Sequence, residues 1–170
     1  MTEPLDLALL VLRLAVGVVM LAHGYNHVFG GGKIAGTGRW FESLGMKPGW
    51  LHAWTASLTE LGAGVLLLVG FLTPLAGAAV VGVMLVAWIT NHRKNGFFIF
   101  RPGEGYEYVM TLTAAGLFFC GAGGGRLSLD HALDIDDFGW PTALGSAAVG
   151  LGGALFLLLV FWRPVKKVSS

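Results

Sequence analysis

The residues best suited to chemistry fall into two sets inside a strongly apolar chain. The first is a pair of charges, Arg13 and Glu60, each set within a long apolar run. A charge inside a bilayer costs a few kcal/mol on insertion scales, so it is normally paired, functional or both. Counting inward from one face at about 1.5 Å per residue places Arg13 roughly 12 Å deep and Glu60 roughly 17 Å deep. Near-equal depth predicts that they meet, either as a clamp between two helices or as a carboxylate held for a proton or ligand. The second set gathers at the other face: His23, His27, His52, Asn91, His92, Tyr106 and Glu107. His23 and His27 stand at i, i+4, on one face of a helix, a spacing that can hold a metal or face a bound head group. The usual zinc pattern has a Glu between the two histidines, whereas Gly24-Tyr25-Asn26 lies here, and no second histidine pair is evident for haem. Neither metal nor haem is therefore expected. Histidines that only hydrogen-bond their neighbours, and histidines that take up protons near neutral pH, are the two readings left open.

Those residues must be positioned by long apolar elements. Of 170 residues, 55% are hydrophobic, only 12% are charged and 27 are glycine, and mean hydropathy is +0.70. A soluble domain carries about 25% charged residues, so the composition is that of a membrane protein. Five apolar segments stand out, at about 5–29, 51–71, 74–92, 107–123 and 141–162. Each approaches the length that crosses a hydrocarbon core of about 30 Å. On a 3.6-residue period Arg13, Gly17, Met20, Gly24 and His27 share one stripe of the first segment, with His23 on its border. Segments two and three are joined by Gly70-Phe71-Leu72-Thr73-Pro74, a tight helical hairpin in which Pro74 can open the next helix. The first connection contains RWFESLGM, which reads as a short surface helix with Trp40, Trp50 and Trp54 as interfacial anchors. The third carries the Asn95-Gly96 turn signal and an aromatic patch. The fold class predicted is all-α integral membrane: an antiparallel four-helix transmembrane bundle plus a fifth C-terminal transmembrane helix. Residues 1–133 form the four-helix membrane domain, and 134–170 hold an acidic linker, the fifth helix and a short basic tail.

Charge sets an orientation. Lys33, Arg39, Lys47, Arg93, Lys94, Arg101, Arg163, Lys166 and Lys167 fall on one side, against Arg126 and six acids on the other. The positive-inside rule then predicts an outer N-terminus and a cytoplasmic C-terminus. No Lys or Arg precedes the first apolar run, so a cleaved signal peptide is not expected. Net charge is +1 and no basic run suits nucleic acid. The one cysteine, Cys120, excludes an internal disulfide and reads as a small core residue. The glycine-rich run 121–126 follows a helix rather than a strand, which excludes a dinucleotide-binding turn. Ser146, Gly150 and Ala154 have the small-xxx-small spacing that suits close packing in lipid, which makes the fifth helix a candidate face for a homo-oligomer.

Several of these motifs together resemble the DoxX family of small bacterial membrane proteins. The residues that carry the resemblance are Arg13, Gly17, His23-Gly24 and His27-Val28-Phe29, then Glu60, Gly62 and Gly70-Phe71-Leu72-Thr73-Pro74-Leu75-Ala76. His92, Asn95-Gly96-Phe97-Phe98, Gly105-Tyr106-Glu107-Tyr108 and Ser128-Leu129-Asp130 extend it over about residues 5–133. The family often has Lys or Arg where His27 stands, and segment five is an addition to its four-helix core. The resemblance implies a multi-pass protein of the bacterial inner membrane with a redox theme, as in thiosulfate:quinone oxidoreductase or in oxidative-stress defence beside soluble partners.

Two functions compete. In the first, the chain is a quinone-linked membrane redox subunit, with Glu60, His23 and His27 as the catalytic candidates. Arg13, Gly24, His92, Asn95, Tyr106 and Glu107 are then the candidate binding residues. Quinone is the expected cofactor, since its head needs a titratable group and its tail needs apolar walls. A small sulfur substrate and a soluble redox partner are the other expected partners, with membrane lipid around the bundle. In the second, the chain is a non-enzymatic scaffold, or a carrier of a small solute or lipid, that docks a soluble protein on the aromatic third loop.

Overall fold

The computed structural model describes residues 3–164, so Lys166 and Lys167 of the basic tail lie outside the described residues. The chain forms α1 (Pro4–Phe29), α2 (Lys33–Ser43), α3 (Gly49–Val69), α4 (Thr73–Ala87), α5 (Glu107–Ala122), α6 (Leu129–Ala132) and α7 (Trp140–Phe161). A π-helical turn, Trp88–His92, continues α4. No β-strand occurs among the described residues. Four helices are long and apolar enough to cross a membrane: α1, α3, α4 with its π-helical turn, and α7. The fourth apolar segment becomes α5, which at 16 residues is shorter. At 1.5 Å per residue it covers only about 24 Å.

Local chemistry explains the ends of these elements. Pro4 occupies the first turn of α1, and Asp6 reaches back to the Glu3 N–H in a capping box. Gly70 closes α3 in the left-handed conformation, φ +67, which frees the Phe71 N–H to bond Leu66 O. A side chain at Gly70 would also collide with the Arg13 guanidinium lying against it. The segment read as a surface helix is α2, connected to α1 by a Gly30-Gly31-Gly32 turn.

Small residues set the packing. Gly17 lies against Gly64, and Gly24 against Ser57 and Leu61, so α1 and α3 run antiparallel at close approach. Gly77 meets Gly116 between α4 and α5, and Gly150 of α7 meets Ala78 and Val81 of α4. The stripe of Gly150 and Ala154 is thus buried within the chain against α4. Leu67, Val80, Met20 and Phe119 fill the space between α1, α3, α4 and α5 with no exposed surface. α7 packs on α4 and α5 but hardly touches α3.

Candidate functional site

The close approach of α1 to α3 decides which buried charges meet. With Gly17 opposite Gly64 and Gly24 opposite Ser57, Arg13 lies beside the last turn of α3 and Glu60 lies two turns further along. The predicted Arg13–Glu60 pair therefore does not form. Arg13, with 0% exposure, donates from Nη1 to Leu67 O at 3.1 Å and from Nη2 to Leu127 O. Among the described residues no carboxylate lies within ion-pairing distance of Arg13. Asp130 is itself fully buried and accepts from Leu72 N at 2.6 Å, Thr73 N at 2.9 Å and Thr73 Oγ1 at 2.7 Å. Those bonds hold Leu72 at φ +47, a costly conformation for a branched side chain, and cap the N-terminus of α4.

Glu60 is paired instead with His27, whose Nδ1 is 3.0 Å from Glu60 Oε2. The contact is close but misaligned, and neither atom makes a well-formed hydrogen bond. Glu60 is 3% exposed, so this carboxylate is held out of water with its acceptor capacity unused.

The pair opens on a cavity of about 650 Å³. Its polar end gathers residues from every element around it. His23 and His27 come from α1, His52 and Glu60 from α3, Asn91 and His92 from the π-helical turn, and Tyr108 from α5. The π-helical turn inserts an extra residue, which rotates its side chains relative to a regular helix and lets the adjacent Asn91 and His92 both border the cavity. His92 is buried, its Nδ1 3.0 Å from Glu104 O and its Nε2 3.3 Å from Asn91 Nδ2. His23 lies at the exposed mouth, where Nε2 is 3.1 Å from the Tyr108 hydroxyl and the two rings stack at 5.8 Å. Trp40 and Phe41 of α2 form an aromatic wall against His27, with centroids 6.4 and 6.3 Å away. From this end an apolar lane runs along α4, over Ala79, Gly82 and Val83, between α3 and α7. Leu58 on one side and Val149 and Phe156 on the other border it while remaining exposed, so the lane opens sideways toward lipid.

The structure thus brings His23, His27, Glu60 and His92 to one cavity, together with His52 and Asn91. It does not bring Arg13, Gly24, Asn95, Tyr106 or Glu107 there. Gly24 has no side chain because Leu61 and the Ser57 carbonyl press on its Cα. Asn95 donates to Asn91 O, Gly103 O and Glu104 O, which ties the loop after the π-helical turn to itself. Glu107 Oε1 accepts from Ile99 N at 2.9 Å, and Tyr106 stacks on Trp88 at 5.5 Å. These three shape the loop that carries Glu104 to the cavity edge rather than the cavity itself. Sequence reasoning missed Tyr108, which follows Glu107 and stands about 100° further around α5. It also read Trp40 as an anchor only. The adjacency of Trp40-Phe41 to two histidine-bearing helices was the available signal. The i, i+4 histidines diverge to separate partners, and among the described residues no three His, Cys, Asp or Glu side chains form a metal-binding group. Cys120 is buried in the core with Sγ 3.6 Å from Pro74 O.

Comparison with known proteins adds the family. No curated protein and no solved structure matches the chain. The family profile described as DoxX matches residues 8–93, from α1 through the π-helical turn, and so takes in Arg13, the His27–Glu60 pair and His92. The chain belongs to the DoxX family, and that membership agrees with its apolar helices in making it a membrane protein.

Proposed function

We propose that the chain binds a membrane quinone with its head group at the His27–Glu60 end of the cavity and exchanges protons with it, as a quinone-linked redox subunit of the membrane. The observation that carries this reading is the continuity of one cavity: an apolar lane open to lipid that ends on a buried, under-satisfied carboxylate and imidazole. An amphiphile with a long apolar tail and a polar ring fits such a shape, the tail entering between α3 and α7. When bound, the quinone supplies two-electron chemistry in which its reduction takes up two protons. Glu60 holds a proton at Oε2, His27 Nδ1 lies 3.0 Å away to exchange it, and the Tyr108–His23 contact continues the polar line to the exposed mouth. The electrons come from outside the chain, from a small sulfur compound such as thiosulfate or a thiol, or from a soluble redox partner.

Lys33 and Arg39 of α2, with Lys47, Arg93, Lys94, Arg101 and Arg163 in the connections, lie at the histidine end. This distribution supports a cytoplasmic placement of that end in a bacterial inner membrane. One observation favours the scaffold reading as well: the loop at this end exposes Phe97, Phe98, Ile99 and Phe100, the last by 78%, between Arg93, Lys94 and Arg101. Extraction of the protein purified in mild detergent separates the two. The quinone reading expects co-purifying quinone and loss of quinone reduction in membranes carrying Glu60→Gln. No bound quinone with unchanged reduction overturns it, and a soluble protein retained only when residues 94–106 are intact favours the scaffold.

A further inference from the structure

Glycine inside a helix is destabilising relative to alanine, so each bare position calls for a physical reason. For most helical glycines here the reason is a neighbouring helix. Gly17, Gly24, Gly64, Gly77, Gly116 and Gly150 each lie hard against backbone or side chains of a packed partner. Among the described residues, five others on the helices would meet nothing within 4 Å on gaining a Cβ: Gly62, Gly121, Gly145, Gly152 and Gly153. Helix packing does not account for these five. Two of them, Gly62 of α3 and Gly153 of α7, border the cavity. They do so from the two helices between which the apolar lane opens.

Their position matters as much as their size. Gly62 stands two residues beyond Glu60 on the hairpin side, about 3 Å of helical rise. Gly153 is three residues from Gly150, which is seated on Ala78 and Val81 of α4. Gly82 of α4 borders the same lane. The lane is therefore without side-chain bulk where it leaves the carboxylate, which is 3% exposed and has Oε2 without a well-formed partner. A small free solute needs only the polar end of such a cavity. The open apolar continuation serves a ligand that carries an apolar extension.

We infer that Gly62 and Gly153 are the two sides of a gap that passes the apolar tail of the ligand, and that they select a head-and-tail amphiphile over a small free solute. The inference rests on the quinone reading and adds the residues that decide tail acceptance. A side chain at either position fills the gap and leaves helix packing untouched.

The test compares Gly62→Leu and Gly153→Leu with wild type, using the full chain in detergent. Gly152→Leu is the control, since that glycine is equally open but does not border the cavity. The probes are a benzoquinone ring without a tail and the same ring carrying a decyl chain. The quantity read is the ratio of variant to wild-type Kd for each probe, in which partition of the probe into detergent cancels. Thermal melts are expected to place all three variants at or above wild type, because leucine favours the helix over glycine. Gly62→Leu and Gly153→Leu are expected to weaken the tailed ring by about tenfold and the tail-less ring by less than about twofold. Gly152→Leu is expected to change neither by more than about twofold. Should a Leu variant at 62 or 153 fail to fold, Ala at that position replaces it, and the tailed ring is again expected to lose more than the tail-less one. Equal loss of both probes, no loss of either, or a matching loss in Gly152→Leu overturns the tail gap and leaves the head-group site standing. Failure of both probes to bind wild type overturns both.

Discussion

At one end of the bundle Arg13, Asp130 and Thr73 are fully buried, and at the other Glu60 and His52 are nearly so. At the Arg13 end the polar atoms are spent on the chain itself. Arg13 bridges two carbonyls, and Asp130 takes three hydrogen bonds from the start of α4. Only Arg13 Nε is left over. At the histidine end Glu60 Oε2, His27 Nδ1 and His52 Nε2 lack a well-formed partner, and a cavity of about 650 Å³ lies beside them. Buried charge is equally costly at both ends. The difference lies in what offsets it. Where backbone groups converge, as at the α3–α4 hairpin and the 123–128 loop, the charge holds the fold. Where aromatic rings and small residues wall a cavity, the polar atoms stay available to a ligand.

The largest expected effect breaks the first end. Asp130→Ala removes three charge-assisted bonds to the hairpin, which should cost about 3–5 kcal/mol in thermal unfolding in detergent. Arg13→Ala combined with Asp130→Ala should lose less than the sum of the two single variants, whereas Arg13→Ala combined with Glu60→Ala should be additive. Strong coupling between Arg13 and Glu60 would contradict the register of α1 on α3. A second change touches both ends at once. Gly64→Leu drives a side chain into Leu21 and the Gly17 carbonyl and should cost about 1–3 kcal/mol. It should also weaken ligand binding by moving α1, and with it His27, away from Glu60. The smallest stability effect sharpens the contrast. Glu60→Gln should shift unfolding by less than about 1 kcal/mol, because the carboxylate it replaces makes no well-formed bond within the chain. A loss as large as that of Asp130→Ala would make Glu60 a structural residue like Arg13.

The helices were legible because their signals are local. A run of bilayer length has to satisfy its backbone internally, so the apolar segments at 5–29 and 74–92 match α1 and the α4 span Thr73–His92 closely. Gly70 and Pro74 mark the hairpin by what their own backbones permit. His23, His27, His52, Asn91 and His92 could be grouped because they all lie near the same ends of their segments. Tyr106 and Glu107 have the same depth and still miss the cavity. Depth alone does not say which way a side chain faces.

The sequence by itself determined that this chain is a helical membrane protein of the DoxX family, with four of its five histidines collected at one end and its acids mostly at the other. Composition, segment length and local turn chemistry suffice for that, since each acts within a few residues or through the bilayer. Only the tertiary structure decided that Arg13 bridges the carbonyls of Leu67 and Leu127 and that Glu60 lies against His27. Two positions of similar depth meet only if rotation and register agree, and both were set by the contacts of Gly17 with Gly64 and Gly24 with Ser57. The same contacts, with the extra residue of the π-helical turn, turned a scatter of histidines into a cavity with unspent acceptors.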